Sequence, residues 1–368
     1  MTAPAGPLLR VTDLVVSYGH GRKQLQAVDG VSFEIGRGQT LGIIGESGSG
    51  KSTLALAVAG IVPVTAGRVE FLSGRQPRRG HGRGSQVQMV FQDPALALNP
   101  RLPVWKSIAE PMAPGAWRLP AGLRQKAEVL LSDVGLGRQY ADSLPGQLSG
   151  GQKQRVTIAR ALAAEHPLVL CDEPVSALDS SLQVGVLSLL SELASQRDLS
   201  YLIISHDLTS VAVLADQVAV MYMGQFVEIG PTAAVLARPR HPYTRALVDA
   251  VPKIARRTAE SDLNAAAADT TGDAVSDPRN PPSGCRFRLR CPYATDLCAT
   301  SAPALTGDDE TPEKDGGSGH RTACHYWPEI AQRARPPRPG HLAGLAPAEA
   351  SRFTTLGDKR SPQPRGDA

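Results

Sequence analysis

The chain has 368 residues, 42% of them apolar and 20% charged, and a formal net charge of +4. This length predicts two domains or one large domain with an extension, and so small a charge gives no indication of nucleic acid as a partner. The longest apolar stretch, residues 54–64, contains a proline and is well short of the ~20 residues that cross a bilayer.

The N-terminus has neither a basic start nor an apolar segment before Arg10. No secretory signal is predicted, and a cytosolic, reducing compartment is expected. In that compartment the five cysteines of the chain should not form disulfides.

Strand-like and helical stretches alternate from residue 10 to about residue 250, which predicts an α/β fold with a mostly parallel sheet flanked by helices. The strand-like runs are residues 9–17, 40–45, 86–92, 167–171, 199–205 and 217–227. Between residues 93 and 160 strand signals vanish, and residues 123–134 show helical spacing, so this part is predicted to be a helical insertion. Residues 256–283 have the composition of a linker, and residues 336–368, with repeated Pro, Arg and Gly, are predicted to be a disordered tail.

A glycine-rich motif follows the second of these runs. Residues 45–53 read GESGSGKST, fit the pattern G-x-x-x-x-G-K-S/T and lie between an apolar strand and an apolar helix. The glycines let backbone N–H groups curl around phosphates, and the positive end of the helix favours a triphosphate. A glycine turn that fits by chance is the alternative, and the flanking elements count against it. The predicted phosphate-binding residues are Gly45, Ser47, Gly48, Ser49, Gly50, Lys51, Ser52 and Thr53, with Lys51 on the β/γ-phosphates and Ser52 on Mg²⁺.

Two adjacent carboxylates end the later apolar run PLVLCDEP, residues 167–174. A buried strand that ends in this way delivers its carboxylates to a site at the sheet edge. Asp172 is predicted to position Mg²⁺ and Glu173 to polarise an attacking water as a general base. Alone, such a pair is more often a solvated strand end, but here it follows a phosphate-binding motif.

Residues 148–156, LSGGQKQRV, resemble the signature loop of ATP-binding cassette (ABC) proteins, and the resemblance continues in order along the chain. It implies a P-loop NTPase sheet core within a nucleotide-binding domain at residues 8–255, with the helical insertion at about 93–160. It also implies that two such modules bind head to tail, because the signature loop of one meets the γ-phosphate held by the other. The further ATP-binding residues that it implies are Tyr18 stacked on adenine, Gln92 on Mg²⁺, Ser149, Gly151 and Gln152 of the signature, Asp179 of the coupling loop and His206 on the γ-phosphate.

Four strings narrow the resemblance: FQDP at residues 91–94, LNPR at 98–101, DEPVSALD at 172–179 and HPYTRAL at 241–247. They are similar to the ATPase subunits of bacterial dipeptide and oligopeptide importers, a group that also includes nickel importers. Over roughly residues 8–327, the similarity implies a second, usually paralogous ATPase chain, two membrane permease subunits and an extracytoplasmic peptide-binding protein. It places the chain at the cytoplasmic face of the inner membrane, as a peripheral subunit.

A cysteine-rich module is predicted at residues 284–328. Cys285, Cys291, Cys298 and Cys324 follow the spacing C-x5-C-x6-C-x25-C, and so dense a group of thiols indicates a metal site. The spacing is unlike the C-x2-C pairs of zinc sites, and the peptide-importer ATPases carry a 4Fe-4S motif here. A 4Fe-4S cluster is therefore the first prediction, zinc the second, and unligated thiols the third. Cys171 lies in an apolar run and is expected to be a small core residue.

Three other functions stay open on the sequence. One is an importer for nickel or another small solute. Another is a non-transport cassette protein that acts on nucleic acid or the ribosome, although such proteins generally carry two cassettes or a long coiled coil. The last is a redox sensor in which the cysteine module regulates the ATPase.

Overall fold

The structure, a computed structural model, describes residues 6–19, 24–72, 87–116, 119–120, 122–250, 277, 279–307 and 319–332. The predicted tail and most of the predicted linker lie outside these residues. By its contacts the chain divides into residues 1–327 and 328–368, and of the second unit only residues 328–332 are described.

The strands are β1 Leu9–Tyr18, β2 Leu25–Ile35, β3 Thr40–Ile44, β4 Ala66–Phe71, β5 Gln88–Val90, β6 Leu168–Asp172, β7 Ser200–Ser205, β8 Gln217–Tyr222, β9 Gln225–Pro231, β10 Thr306–Gly307 and β11 Arg321–Thr322. The helices are α1 Lys51–Val58, α2 Pro94–Ala97, α3 Val104–Ala109, α4 Leu123–Asp133, α5 Gly150–Leu162, α6 Ser180–Arg197, α7 Leu208–Leu214, α8 Thr232–Ala237, α9 Pro242–Ala250, α10 Asp296–Thr300 and α11 Trp327–Gln332.

The larger sheet has the strand order β10-β11-β9-β8-β3-β7-β6-β5. Its strands β8, β3, β7, β6 and β5 run parallel, as predicted, while β8 and β9 form an antiparallel hairpin. The single run predicted at 217–227 was therefore wrong. Met223 and Gly224, both with positive φ, reverse the chain inside it, and an apolar run that crosses a tight turn has no periodicity that shows the turn.

A smaller antiparallel sheet of order β2-β1-β4 covers the other side of helix α1. Its inner face shares one apolar core with α1 and the large sheet, in which Leu14 and Phe33 meet Leu41 and Leu54. Strands β2 and β4 were not predicted, because their apolar residues are interrupted by Asp, Gly, Arg and Glu.

Between residues 93 and 160, none of the residues that the structure describes lies in a strand. The helix predicted at 123–134 is confirmed as α4. Helices α3, α4 and α5 bury Ile108, Leu131 and Val156 in a core that continues to Leu190 of α6 and Ile203 of β7. The helical part thus packs directly against the parallel sheet.

The cysteine-bearing segment joins the edge of the large sheet, where β11 pairs with β9. Next to this edge lies Glu228, a fully buried carboxylate on β9. It accepts hydrogen bonds from the backbone N–H groups of Arg240 (2.7 Å) and His241 (2.9 Å), and pairs with His320 Nε2 at 2.6 Å. Burial lowers the pKa of His241 to about 4, although Glu228 raises it. Glu228 therefore fastens the C-terminal segment to the sheet.

Replacing Glu228 by Ala should lower the free energy of unfolding by about 3 kcal/mol, because buried N–H groups and His320 lose their acceptor. Chemical denaturation followed by circular dichroism measures this. The matched control is Glu34→Ala, which removes a carboxylate that is 51% exposed and paired with Arg10, and which should cost less than about 1 kcal/mol. Equal effects of the two substitutions would contradict the anchoring role of Glu228.

Candidate nucleotide-binding site

The candidate site lies at the carboxyl ends of three neighbouring parallel strands. In the register, Ile44 at the end of β3 pairs with Ser205 of β7, and Asp172 at the end of β6 pairs with Ile204. Chain segments that leave such ends meet at one edge of the sheet. The glycine-rich loop, the carboxylate pair and His206 are thereby gathered at the same place.

The loop at residues 45–50 depends on glycine at two positions. Gly50 has φ +105°, and a Cβ atom there would lie 2.0 Å from the carbonyl oxygen of Ala27. At Gly45 a Cβ atom would lie 2.2 Å from the carbonyl oxygen of Met221. Any other residue would push the loop away from β2 and β8. The backbone of the loop is therefore held in place by the two sheets on either side of it.

Lys51, the first residue of α1, is buried with its ammonium group turned back into the loop. Lys51 Nζ donates to the carbonyl oxygens of Gly45 and Glu46, each at 2.8 Å. Burial lowers its pKa, while the charges of Glu173, Asp172 and Glu46 raise it in that order. The site thus holds a cation among acidic groups, bound to the backbone of the glycine-rich loop.

Ser52 and Asp172 form a pair of oxygen donors. Ser52 Oγ donates to Asp172 Oδ1 at 3.1 Å. Burial raises the pKa of Asp172, and the hydrogen bond from Ser52 acts in the opposite direction. A hydroxyl beside a carboxylate fits Mg²⁺, which takes oxygen ligands and keeps several of its waters.

Glu173 lies between two polar side chains. Gln92 Nε2 donates to its Oε2 at 3.0 Å, and His206 Nδ1 lies 3.1 Å from its Oε1. The backbone of Glu173 has φ +48°, and its N–H donates to the carbonyl oxygen of Ile204. This left-handed conformation costs energy for a residue with a side chain. It turns the carboxylate away from the direction that a continuing strand would give it.

The signature residues lie at the start of α5. Ser149 caps the helix: its Oγ accepts from the N–H of Gln152, and Gln152 Oε1 accepts from the N–H of Ser149. Gln152 Nε2 donates to Tyr140 Oη at 3.1 Å, which ties the signature to the helical part of the chain. The atoms nearest to a Cβ atom at Gly151 would be those of the Leu182 side chain, at 3.4 to 3.8 Å.

Two further predicted residues take positions that the fold determines. Asp179 precedes α6 as its N-cap, in a loop in which Ser176 Oγ donates to the carbonyl oxygen of Glu173 at 3.1 Å. Tyr18 ends β1 opposite Leu25 and is 40% exposed. Its partner Leu25 lies two residues before Ala27, the residue whose carbonyl oxygen is next to Gly50.

Sequence patterns predicted no role for Glu46 of the phosphate loop, nor for two residues that the structure joins to it. Glu46 donates its N–H to Tyr243 Oη at 2.8 Å, and Arg290 donates to both carboxylate oxygens of Glu46 at 2.8 and 2.9 Å. Tyr243 lies in the HPYTRAL string, which marked the resemblance but indicated no contact. Arg290 is separated from the loop by more than half of the chain, and no local pattern shows such a pairing.

The four C-terminal cysteines are brought into one neighbourhood. Burial raises the pKa of Cys285, and it raises the pKa values of Cys291 and Cys324 to about 11, with smaller contributions from the other thiols. Even so, within the described residues no group of three or more His, Cys, Asp or Glu is arranged to hold a metal ion. The predicted 4Fe-4S cluster and the zinc alternative are therefore not supported by this geometry. Cys171 is buried in β6, as predicted.

Comparison with known proteins decides the family. The family model "ABC transporter" matches residues 28–176, and "Oligopeptide/dipeptide transporter, C-terminal region" matches residues 227–298. The oligopeptide transport ATP-binding protein OppF of Escherichia coli K12 is 44% identical over 292 residues, which cover 77% of this chain and 86% of that protein. A putative peptide import ATP-binding protein of Brucella abortus is 42% identical over 333 residues, 87% of this chain and 94% of that protein.

The chain belongs to the ATP-binding proteins of ABC transporters, in the oligopeptide/dipeptide group. As a member of this family it is an ATPase. A dimeric ATP-binding cassette in a post-hydrolysis state with ADP and phosphate aligns with a TM-score of 0.54 and 26% identity, covering 61% of this chain and 98% of that one. A component of the cbiONQ ABC transporter complex of Clostridium perfringens aligns with a TM-score of 0.55 and 29% identity, covering 63% and 91%. The α/β P-loop fold predicted for the core is thereby confirmed.

No helix in the part of the chain that the structure describes has both the length and the apolar character needed to cross a membrane.

Replacing Lys51 by Ala should weaken the binding of Mg-ATP about 100-fold, because the ammonium group is the buried cation of the loop and a charged hydrogen bond to phosphate is worth about 2–3 kcal/mol. Equilibrium titration with a fluorescent ATP analogue measures this. Lys126→Ala, an exposed residue on α4, is the control and should bind as the wild type does. Undiminished affinity of Lys51→Ala would refute the assignment of the loop.

Proposed function

We propose that this chain binds and hydrolyses ATP in a head-to-tail dimer and thereby drives the uptake of dipeptides or oligopeptides through separate membrane permease subunits. The observation that carries the proposal is the assembly of Lys51, Ser52, Gln92, Glu173 and His206 at one sheet edge. Its similarity to a putative peptide import protein and to an oligopeptide transport protein supports the cargo class.

The arrangement suits a division of roles among the site residues. Lys51 and the N–H groups of residues 45–53 would hold the triphosphate. Ser52, Asp172 and Gln92 would hold Mg²⁺, which would supply charge neutralisation for phosphoryl transfer. Glu173 accepts a proton from the attacking water, and its contact with Gln92 and His206 orients both carboxylate oxygens. His206 then lies where it can contact the γ-phosphate, and Tyr18 stacks on the adenine.

The signature residues of this chain would complete the active site of a partner module. Ser149 caps the N-terminus of α5, and a helix N-terminus binds anions. The hydrogen bonds of Ser149 and Gln152 lie within the helical part of the chain, between these two residues and from Gln152 to Tyr140. A partner module, by resemblance a paralogous ATPase chain, would offer its phosphate loop to Ser149, Gly151 and Gln152, with Asp179 near the shared interface. The dimeric cassette with ADP and phosphate supports this arrangement.

The domain division that we propose follows from these roles. Residues 8–255 form the nucleotide-binding domain, and the insertion at about 93–160 receives a coupling helix from a membrane permease subunit, because Gln92 of the active site leads directly into α2. Residues 256–283 link this domain to the cysteine-rich part at 284–328. The chain would then act as a peripheral subunit at the cytoplasmic face of the inner membrane, below an extracytoplasmic peptide-binding protein and without nucleic acid.

Glu173→Gln should keep ATP affinity while turnover falls at least about 100-fold, because the loop is intact and the general base is lost. With Mg-ATP the variant should therefore accumulate as a closed dimer with its partner subunit. Size-exclusion chromatography with light scattering, beside single-turnover hydrolysis, measures both. The control is Glu165→Gln, a carboxylate after the end of α5. Normal turnover of Glu173→Gln would contradict the assignment.

The cargo is tested in cells of the source organism that carry Glu173→Gln in place of the wild-type residue. Uptake of labelled di- and tripeptides should fall to background while uptake of labelled nickel is unchanged. Loss of nickel uptake alone would favour the nickel alternative, and unchanged uptake of both would reject import by this chain as proposed.

We also propose a 4Fe-4S cluster at Cys285, Cys291, Cys298 and Cys324. Support comes from the close neighbourhood of the thiols and from backbone hydrogen bonds to the sulfurs of Cys285, Cys291 and Cys324, which lower their pKa values against burial. Binding would require the thiols to approach one another, since their present arrangement holds no metal.

Anaerobic purification followed by iron, sulfide and zinc analysis tests the cluster. About four iron and four sulfide per chain are expected, and Cys291→Ser should remove both while Cys171→Ser keeps them. Zinc without iron would replace the cluster by the zinc alternative. If neither iron nor zinc is found, the thiols are unligated.

A further inference from the structure

Every polar group of Glu46, the second residue of the phosphate loop, has a partner. Its N–H donates to Tyr243 Oη at 2.8 Å, and its carbonyl oxygen accepts from Lys51 Nζ at 2.8 Å. Its two carboxylate oxygens accept from Arg290 Nη1 and Nη2 at 2.8 and 2.9 Å. Tyr243 and Arg290 both lie far along the chain, so the first turn of the loop is held from the C-terminal side of the protein.

Arg290 is itself fixed by aromatic rings. Its guanidinium carbon lies 5.8 Å from the ring centre of Tyr222 and 5.7 Å from that of Phe287. Phe287 is buried and packs 5.4 Å from Tyr243, the other partner of Glu46. A bidentate pair between Arg and a carboxylate fixes the relative orientation of the two groups. One ring cluster thus positions the two C-terminal partners of Glu46, Tyr243 and Arg290.

The charge of Glu46 acts at the phosphate site. Burial lowers the pKa of Lys51, and Glu46 is among the three carboxylates that raise it, so the Glu46 carboxylate lies in the electrostatic surroundings of the group that meets phosphate. Without a cation beside it, this carboxylate would repel a triphosphate. The guanidinium of Arg290 supplies this cation through its two hydrogen bonds to the carboxylate.

We propose that Arg290 is a positioning residue for nucleotide binding, which acts through Glu46 to hold the first turn of the phosphate loop and to neutralise a carboxylate whose charge acts on Lys51. Arg290 directly precedes Cys291. The cysteine-bearing segment thus supplies a residue that positions the phosphate loop. The inference rests on ATP binding at residues 45–53 and is independent of the transported compound.

The test compares Arg290→Gln, Glu46→Gln and the double variant by titration with a fluorescent ATP analogue and Mg²⁺. Arg290→Gln should weaken binding about fivefold, because a partly exposed ion pair contributes up to about 1 kcal/mol. KM for ATP should rise by the same factor while kcat changes less than about twofold, since Arg290 does not contact the reacting atoms. The double variant should bind more tightly than Arg290→Gln, because the carboxylate left without its partner is gone.

The control is Arg288→Gln, which lies in the same turn and whose hydrogen bonds go to Ser283. It should bind nucleotide as the wild type does. Equal affinities of Arg290→Gln and wild type, or a double variant as weak as the single one, would overturn the proposal. Thermal unfolding of each variant identifies a general loss of structure. If Arg290→Gln shows such a loss, Arg290→Lys is used instead, because it keeps the charge but loses the bidentate geometry. Arg290→Lys should bind nucleotide more weakly than wild type, and unchanged binding would contradict the proposal. A wild-type chain that binds no ATP would reject the proposed function instead.

Discussion

The parallel pairing of β3, β7 and β6 is the constraint on which the site depends. It places Ser52, which follows β3, within 3.1 Å of Asp172 at the end of β6, although 120 residues separate them in the chain. It also places Glu173 beside His206, which follows β7. Side chains that leave neighbouring parallel strands at the same edge must meet. A one-residue shift of register in β6 would turn the side chain of Asp172 to the opposite face of the sheet, away from Ser52.

This convergence buries charges of opposite sign close together. Burial lowers the pKa of Lys51 and raises that of Asp172, so it disfavours the charged form of each group. Such groups gain from a ligand that carries the complementary charge, because their desolvation has already occurred on folding. A triphosphate with Mg²⁺ brings negative charge to Lys51 and positive charge to Asp172. The folded site is thus prepared for this pair of ligands before either arrives.

The C-terminal segment completes this arrangement from outside the cassette core. Strand β11 extends the large sheet, Glu228 pairs with His320 at its edge, and Phe287 packs among the rings of Tyr222 and Tyr243. Arg290 reaches the phosphate loop across this contact. A segment that the sequence marks only by its cysteines is in this way connected to the residue next to Gly45. Its thiols, by contrast, have no metal-holding arrangement among the described residues.

Local patterns in the amino-acid sequence by themselves determined the parallel strands, helix α4, the phosphate loop and the carboxylate pair, because glycine spacing, apolar runs and helical periodicity act over a few neighbouring residues. Strands β2 and β4 were missed, since their polar residues hide the alternation that burial of one face would produce. Only the tertiary structure decided that Gln92 and His206 share Glu173, and that Glu46 binds Tyr243 and Arg290. These contacts join segments from different parts of the chain. Strand register and the packing of aromatic rings determine which residues meet, and a local sequence pattern contains no information on either.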